Sequence, residues 1–208
     1  RSKAQKALFD LPEAKGADKL REQYVLRYMM EKEAAGSASL LNVETFNDPT
    51  AYKLSVKIPG SDESREVNVD LLETFNYLIG LWVDHIAAPV TFSPKFKQDK
   101  EGRWSLDGKL TPDDKGAFWF RRVEGVTRDG RKTLVIWRKL TGNPHQDNLA
   151  LDHFMKDRLK INTRDFEFDM IYVNGDNNLE NLRQADEKWK VRLIEEDFRN
   201  LMFDKGGI

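Results

Sequence analysis

Few residues in this sequence have types and spacings that could do chemistry. His153 stands four places before Asp157 in a segment of helical periodicity, which puts the pair on one helix face. Such a couple could share a proton or offer two ligands to a metal, but two ligands do not close a zinc site. A solvated ion pair is the simpler expectation. The other histidines stand apart, His85 after an apolar run and His145 beside Pro144. No strand–turn–helix nucleophile elbow supports a Ser-His-Asp reading, and neither G-x-G-x-x-G nor G-x-x-x-x-G-K-[ST] occurs.

The stretch Asn174-Gly175-Asp176-Asn177-Asn178 is more suggestive. It follows the apolar run 168–173, and α/β folds often place ligand sites beyond strand ends. Asn174, Asp176 and Asn177 are therefore candidates for a ligand loop. The plainer account, which the residue types favour, is a tight turn that Gly175 permits and Asn and Asp tolerate. A stand-alone metal-dependent nuclease would draw on this loop and on Glu195, Glu196 and Asp197. Those three carboxylates read more simply as a solvated helix face.

Asn47-Asp48-Pro49-Thr50-Ala51-Tyr52 superficially matches the tetrad with which amino-methyltransferases hold a flipped base. That tetrad needs two prolines and then an aromatic residue. Here the second proline is missing and Tyr52 lies one place too far along, so the segment reads as a turn.

Basic residues crowd one region: Arg121, Arg122, Arg128, Arg131 and Lys132, with Arg138 and Lys139 beyond and Phe118, Trp119, Phe120 and Trp137 among them. Cations interleaved with aromatics can track a phosphate backbone and stack on unpaired bases. The first five are the candidate DNA contacts. Strand alternation, however, sends part of the set to the opposite face.

The elements that must position these groups are legible by period. Residues 17–35 are helical in pattern, and 51–58 alternate as a strand, followed by a turn at 59–62 and a second strand beginning at 66–69. Asp70 is a natural N-cap for an apolar helix over 71–79 that should be buried. Between 84 and 116, Pro89, Pro94, Gly102, Gly108 and Pro112 break any period. The runs 118–126 and 133–137 flank Arg128-Asp129-Gly130, a strong hairpin signal. A helix over 148–159 and a strand over 168–173 then complete one β-α-β crossover. Residues 191–203 read as a final helix. The expected class is mixed α and β (α+β or α/β), with a small mixed sheet holding a hairpin and a β-α-β unit packed by amphipathic helices. The division is 1–84 as a helical and strand part, 85–116 as a flexible or inserted segment and 117–208 as an α/β part, unless the three form one continuous domain.

Composition narrows the classes. With 208 residues the chain can bury a genuine core. It has no cysteine, which excludes disulfides, thiolate zinc sites and cysteine nucleophiles. Lys plus Arg (34) nearly cancel Asp plus Glu (35), so any DNA contact needs a local basic patch. No apolar run reaches the ~20 residues of a membrane span. The start, Arg1-Ser-Lys-Ala-Gln-Lys, is neither a signal peptide nor an initiator methionine. A cytoplasmic piece of a longer chain is the expectation.

Six segments in order resemble the C-terminal part of adenine-specific DNA methyltransferases of the type III restriction–modification kind, the Mod subunit. They are Leu20-Arg-Glu-Gln-Tyr-Val-Leu-Arg-Tyr-Met-Met-Glu-Lys-Glu, Ser39-Leu-Leu-Asn, Val69-Asp-Leu-Leu-Glu-Thr-Phe-Asn-Tyr-Leu-Ile-Gly-Leu, Leu134-Val-Ile-Trp-Arg, Asp169-Met-Ile-Tyr-Val-Asn-Gly-Asp and Arg192-Leu-Ile-Glu-Glu-Asp-Phe-Arg-Asn-Leu-Met-Phe. The resemblance runs from about Leu20 to Phe203 and implies a parent enzyme that moves a methyl group from S-adenosylmethionine to adenine N6. In that family the proline tetrad and the cofactor motif lie upstream, so it implies no catalytic or cofactor-binding residue here. It implies an accessory role in subunit assembly or DNA positioning. The implied partners are the catalytic domain of the same parent chain, a second copy in a homodimer, double-stranded DNA and a restriction nuclease–helicase subunit. A pure dimerisation module is the alternative.

Overall fold

A computed structural model describes residues 46–57, 63–182 and 189–203. The chain divides into two units, 1–41 with 202–208 and 42–201, and the described residues fall almost wholly in the second. The expected helix over 17–35, the turn at 59–62 and the first two segments of the resemblance lie outside the described residues.

Two strands, β1 (Lys53–Lys57) and β2 (Ser64–Asn68), pair antiparallel with Leu54 opposite Val67. Asp70 caps the helix α1 (Leu71–Leu78) as its type and place require, its Oδ1 accepting from the N–H groups of Leu72 at 3.0 Å and Glu73 at 3.1 Å. The helix buries one face, through Leu71, Leu72 and Phe75, rather than its whole circumference; Tyr77 is exposed.

The central sheet is mixed. Its strands are β3 (Trp82–Ile86), β4 (Val90–Phe92), β7 (Phe118–Val126), β8 (Lys132–Arg138), β9 (Met170–Val173) and β10 (Val191–Leu193). Their order is β10-β9-β8-β7-β3, with β4 also on β7. Strands β5 (Phe96–Gln98) and β6 (Trp104–Leu106) form a separate antiparallel pair. Short strands therefore lie within 85–116, and Phe92 and Leu110 of this segment are buried in the core.

The hairpin β7–β8 forms as Asp129-Gly130 signals, with Gly130 N–H donating to Thr127 O at 2.8 Å. After β8 the helix α2 (Pro144–His153) crosses over and continues as the wider π-type turns of Phe154–Leu159. It begins earlier than the periodicity suggests, because Asn143 caps it and Pro144 needs no N–H in the first turn. Strand β9 then pairs parallel with β8, which completes the crossover.

One expectation fails nearby. Residues 191–193 are not helix but the strand β10, parallel to β9, and the helix α3 runs only over Ile194–Phe203. Val191 is held by Ile171 opposite it and by Asn181, whose Oδ1 accepts the Val191 N–H and whose Nδ2 donates to Val191 O. Long-range pairing overrides the local helical period.

Alternation along β8 divides the core between two faces. Leu134 and Ile136 join Ala150, Leu151, Phe154 and Met155 of the crossover on one side. Trp137 joins an aromatic set on the other, with Phe75 edge-on to Trp137 at 6.0 Å, stacked on Phe198 at 6.0 Å and edge-on to Tyr172 at 5.2 Å. Burying each such side chain stabilises the fold by ~1.5–3 kcal/mol. Gly125 lets β3 approach β7 at a bulge, since a Cβ there would lie 2.2 Å from Trp82 O.

Candidate functional site

Three chain positions meet where β8 and β9 end and α3 begins. Asn174 is fully buried. Its Oδ1 accepts the Arg138 N–H at 2.7 Å, and its Nδ2 donates to Arg138 O at 2.8 Å and Phe46 O at 3.1 Å. The side chain thus pins β8, β9 and the 46–48 segment together. Gly175 takes a left-handed φ of +74°, as a tight turn requires, and its N–H donates to Glu195 at 2.6 Å. Asp176 contributes its backbone oxygen, not its carboxylate, to Arg138. Asn177 accepts the Leu179 N–H at 3.3 Å. Asn174 of the candidate ligand loop is therefore taken up by the fold, while Asp176 faces solvent.

Arg138 organises this corner, a role that residue type alone does not signal. The side chain is 1% exposed. It donates to the backbone oxygens of Asn174, Asp147 and Asp176 and to Asn148 Oδ1, at 2.7–3.2 Å. Burial pushes its guanidinium down to about 10, against the pull of Asp147, Glu195 and Asp176. Asp147, itself buried, accepts from the Thr141 N–H and hydroxyl. Burial likewise pushes the Glu195 carboxyl up, despite the Gly175 N–H and the Arg138 charge.

The acidic run in α3 is not the solvated helix face that its residue types suggest. Glu195 and Asp197 are buried, and only Glu196 faces solvent. Asp197 accepts from the Tyr172 hydroxyl at 2.9 Å and from Arg192 at 2.5 Å. Asp197 is thus a paired interior group, which is how buried charge is tolerated. Glu195, by contrast, is met at Oε1 by the Gly175 N–H, while its Oε2 is buried without a hydrogen-bond partner among the described residues. Among the described residues no three His, Asp or Glu side chains gather as cation ligands. His153 and Asp157 form a part-exposed i,i+4 pair at 2.7 Å, as expected. Asp48 closes its own turn, accepting from the Thr50 N–H and hydroxyl, and pairs with Lys139 at 2.6 Å.

The five candidate DNA contacts do not form one patch. Arg121 donates to Ala87 O, and Arg122, on the opposite face of β7, pairs with Glu124 at 3.1 Å. Lys132 lies 4.8 Å from the Phe168 ring centroid. Arg128 and Arg131 project from the turn, where Arg131 pairs with Asp129 at 3.0 Å and exposed Arg128 has no ion pair among the described residues. Both border a cleft that the sequence did not suggest, with Arg192 of β10 on the same wall. Arg192 stands 61 to 64 residues from the other two, so no local motif could reveal it.

Comparison of the chain with family models, curated proteins and solved structures finds no match. Among the described residues no helix is long and apolar enough to cross a membrane.

Proposed function

We propose that this chain is an accessory part of a site-specific adenine-N6 DNA methyltransferase, serving DNA positioning and subunit assembly rather than methyl transfer. The observation that supports it most is a division of labour among the polar groups. Asn174, Glu195 and Asp197 stand where a reacting site would be sought, and each is used to hold strands and helix together. Arg128 at the hairpin turn is exposed instead, without a carboxylate partner among the described residues. The ordered segments that resemble type III methyltransferases supply the enzyme class. S-adenosylmethionine and the proline tetrad then belong to a catalytic domain of the parent chain.

The test is binding of double-stranded DNA by fluorescence anisotropy across a salt series. Affinity should fall steeply with salt, because phosphate contacts release counterions. Binding that ignores salt, or none at low salt, would sink the DNA-positioning role.

One observation favours assembly as the main task. Strand β3 ends the sheet among the described residues with all five residues exposed, and Trp82 is 70% and Ile86 49% exposed. An apolar antiparallel edge can pair with its own copy about a two-fold axis. Sedimentation should then show a concentration-dependent dimer that Trp82→Asp weakens; an unchanged dimer would exclude this edge.

A further inference from the structure

The dipeptide Asn-Gly occurs once in this sequence, at Asn174-Gly175, and the fold calls for both residues there. The side chain at 174 accepts the Arg138 N–H at 2.7 Å and donates to Arg138 O at 2.8 Å and Phe46 O at 3.1 Å. A carboxamide does both, whereas a carboxylate has no donor. Position 175 takes a φ of +74°, and a Cβ there would lie 2.6 Å from Leu140 Cδ1, which leaves glycine as the fitting residue.

The same dipeptide is chemically labile. Asparagine is a thermolabile residue, and a following glycine offers no side chain to shield its nitrogen from the amide. The Gly175 nitrogen gives up its proton and bonds to Asn174 Cγ. The Cγ–Nδ2 bond then breaks, and Nδ2 leaves as ammonia with that proton. Water opens the resulting cyclic imide at either carbonyl, leaving aspartate or isoaspartate at 174. Beyond water, no co-reactant is consumed.

The folded chain holds the reacting atoms away from this course. The Gly175 N–H is taken by Glu195 Oε1 at 2.6 Å, and Asn174 Nδ2 is tied to two carbonyl oxygens, of Arg138 in β8 and of Phe46. Asn174 is 0% exposed, so the base and the water that the reaction uses do not reach it. Cyclisation therefore waits on a local opening that separates β8, β9 and α3. The products do not close again. Aspartate turns acceptors toward Phe46 O and Arg138 O, and isoaspartate lengthens the backbone just where β9 turns.

We propose that Asn174-Gly175 is a latched deamidation site, held shut by the corner of β8, β9 and α3 and fired only when that corner opens. A transient opening is thereby made permanent, and the pair sets a chemical lifetime for the folded chain.

The experiment holds the full chain at mildly alkaline pH, folded in buffer and unfolded in urea, and maps aspartate and isoaspartate at 174 by mass spectrometry. Deamidation should be slower in the folded chain by about a hundredfold, the factor for opening a buried, hydrogen-bonded corner. It should accelerate in urea below the unfolding transition. Asn174→Asp, which is one of the two products, should unfold at a markedly lower urea concentration than wild type or fail to fold. Equal rates in the folded and unfolded chain would overturn the latch. Absence of product at 174 in urea would overturn the chemistry. An Asn174→Asp chain as stable as wild type would mean that the product closes the corner, and would overturn the irreversible step.

Discussion

Replacing Asn174 by alanine tests whether this loop is a fold staple or a ligand loop. The variant removes three hydrogen bonds, one accepted from Arg138 N–H and two donated to Phe46 O and Arg138 O. The side chain is 0% exposed, so water does not replace what is lost. Orphaning a buried N–H costs about 1–3 kcal/mol, and two carbonyls that keep a second lone pair add less, for a total of about 3–5 kcal/mol. Against the ~5–15 kcal/mol that holds a typical domain, that is a large fraction. Asp176→Ala is the control: its side chain is exposed and only its backbone oxygen meets Arg138, so the cost should stay under about 0.5 kcal/mol. Urea unfolding followed by tryptophan fluorescence reads both, with equal slopes required for the comparison. An Asn174→Ala variant within about 1 kcal/mol of wild type would refute the staple. So would an Asp176→Ala variant that cost as much as Asn174→Ala.

Three further outcomes are expected. Gly125→Ala would set a Cβ 2.2 Å from the Trp82 carbonyl oxygen, so β3 must shift; amide exchange along Trp82–Ile86 should accelerate markedly, and unchanged protection would contradict the close approach. Burial raises the Asp48 carboxyl, but hydrogen bonds from Lys139 and Thr50 outweigh it and hold it below 3.8. Its stabilisation is therefore present above that value and lost as pH falls through the lower folded one, so Asp48→Asn should flatten the acid limb of a stability–pH curve below about pH 4. Glu195 has the opposite sign, because burial raises it above 4.5 and the folded state takes up its proton first. Its burden is present at neutral pH and relieved as pH falls, so wild type should gain stability relative to Glu195→Gln on acidification toward about pH 4.5, and a constant difference would contradict this.

Several elements could be read from sequence because their signals are carried by covalent neighbours. Asp129-Gly130 between apolar runs specifies the hairpin, Asp70 the start of α1, and the order strand, helix, strand the parallel pairing of β8 with β9. Strand β10 was hidden, since 191–193 continue the helical period of α3 and become a strand only beside β9 and Asn181. The short strands of 85–116 were hidden too, because β4, β5 and β6 are three residues each, too short to show an alternation between the prolines and glycines.

The site divides the same way. Asn174-Gly175-Asp176 announced a turn through local backbone preference, and the turn is there. Nothing local says that Asn174 meets Arg138 and Phe46, that Glu195 closes on Gly175, or that Arg192 joins Arg128 and Arg131 across the sheet. The sequence by itself determined the mixed class, the hairpin, the crossover and where charge is concentrated, since period and turn chemistry act over a few residues. Only the tertiary structure decided which charges are buried and which line a cleft. Those fates depend on strands brought together across 20 to 128 positions of chain, where residue type carries no address.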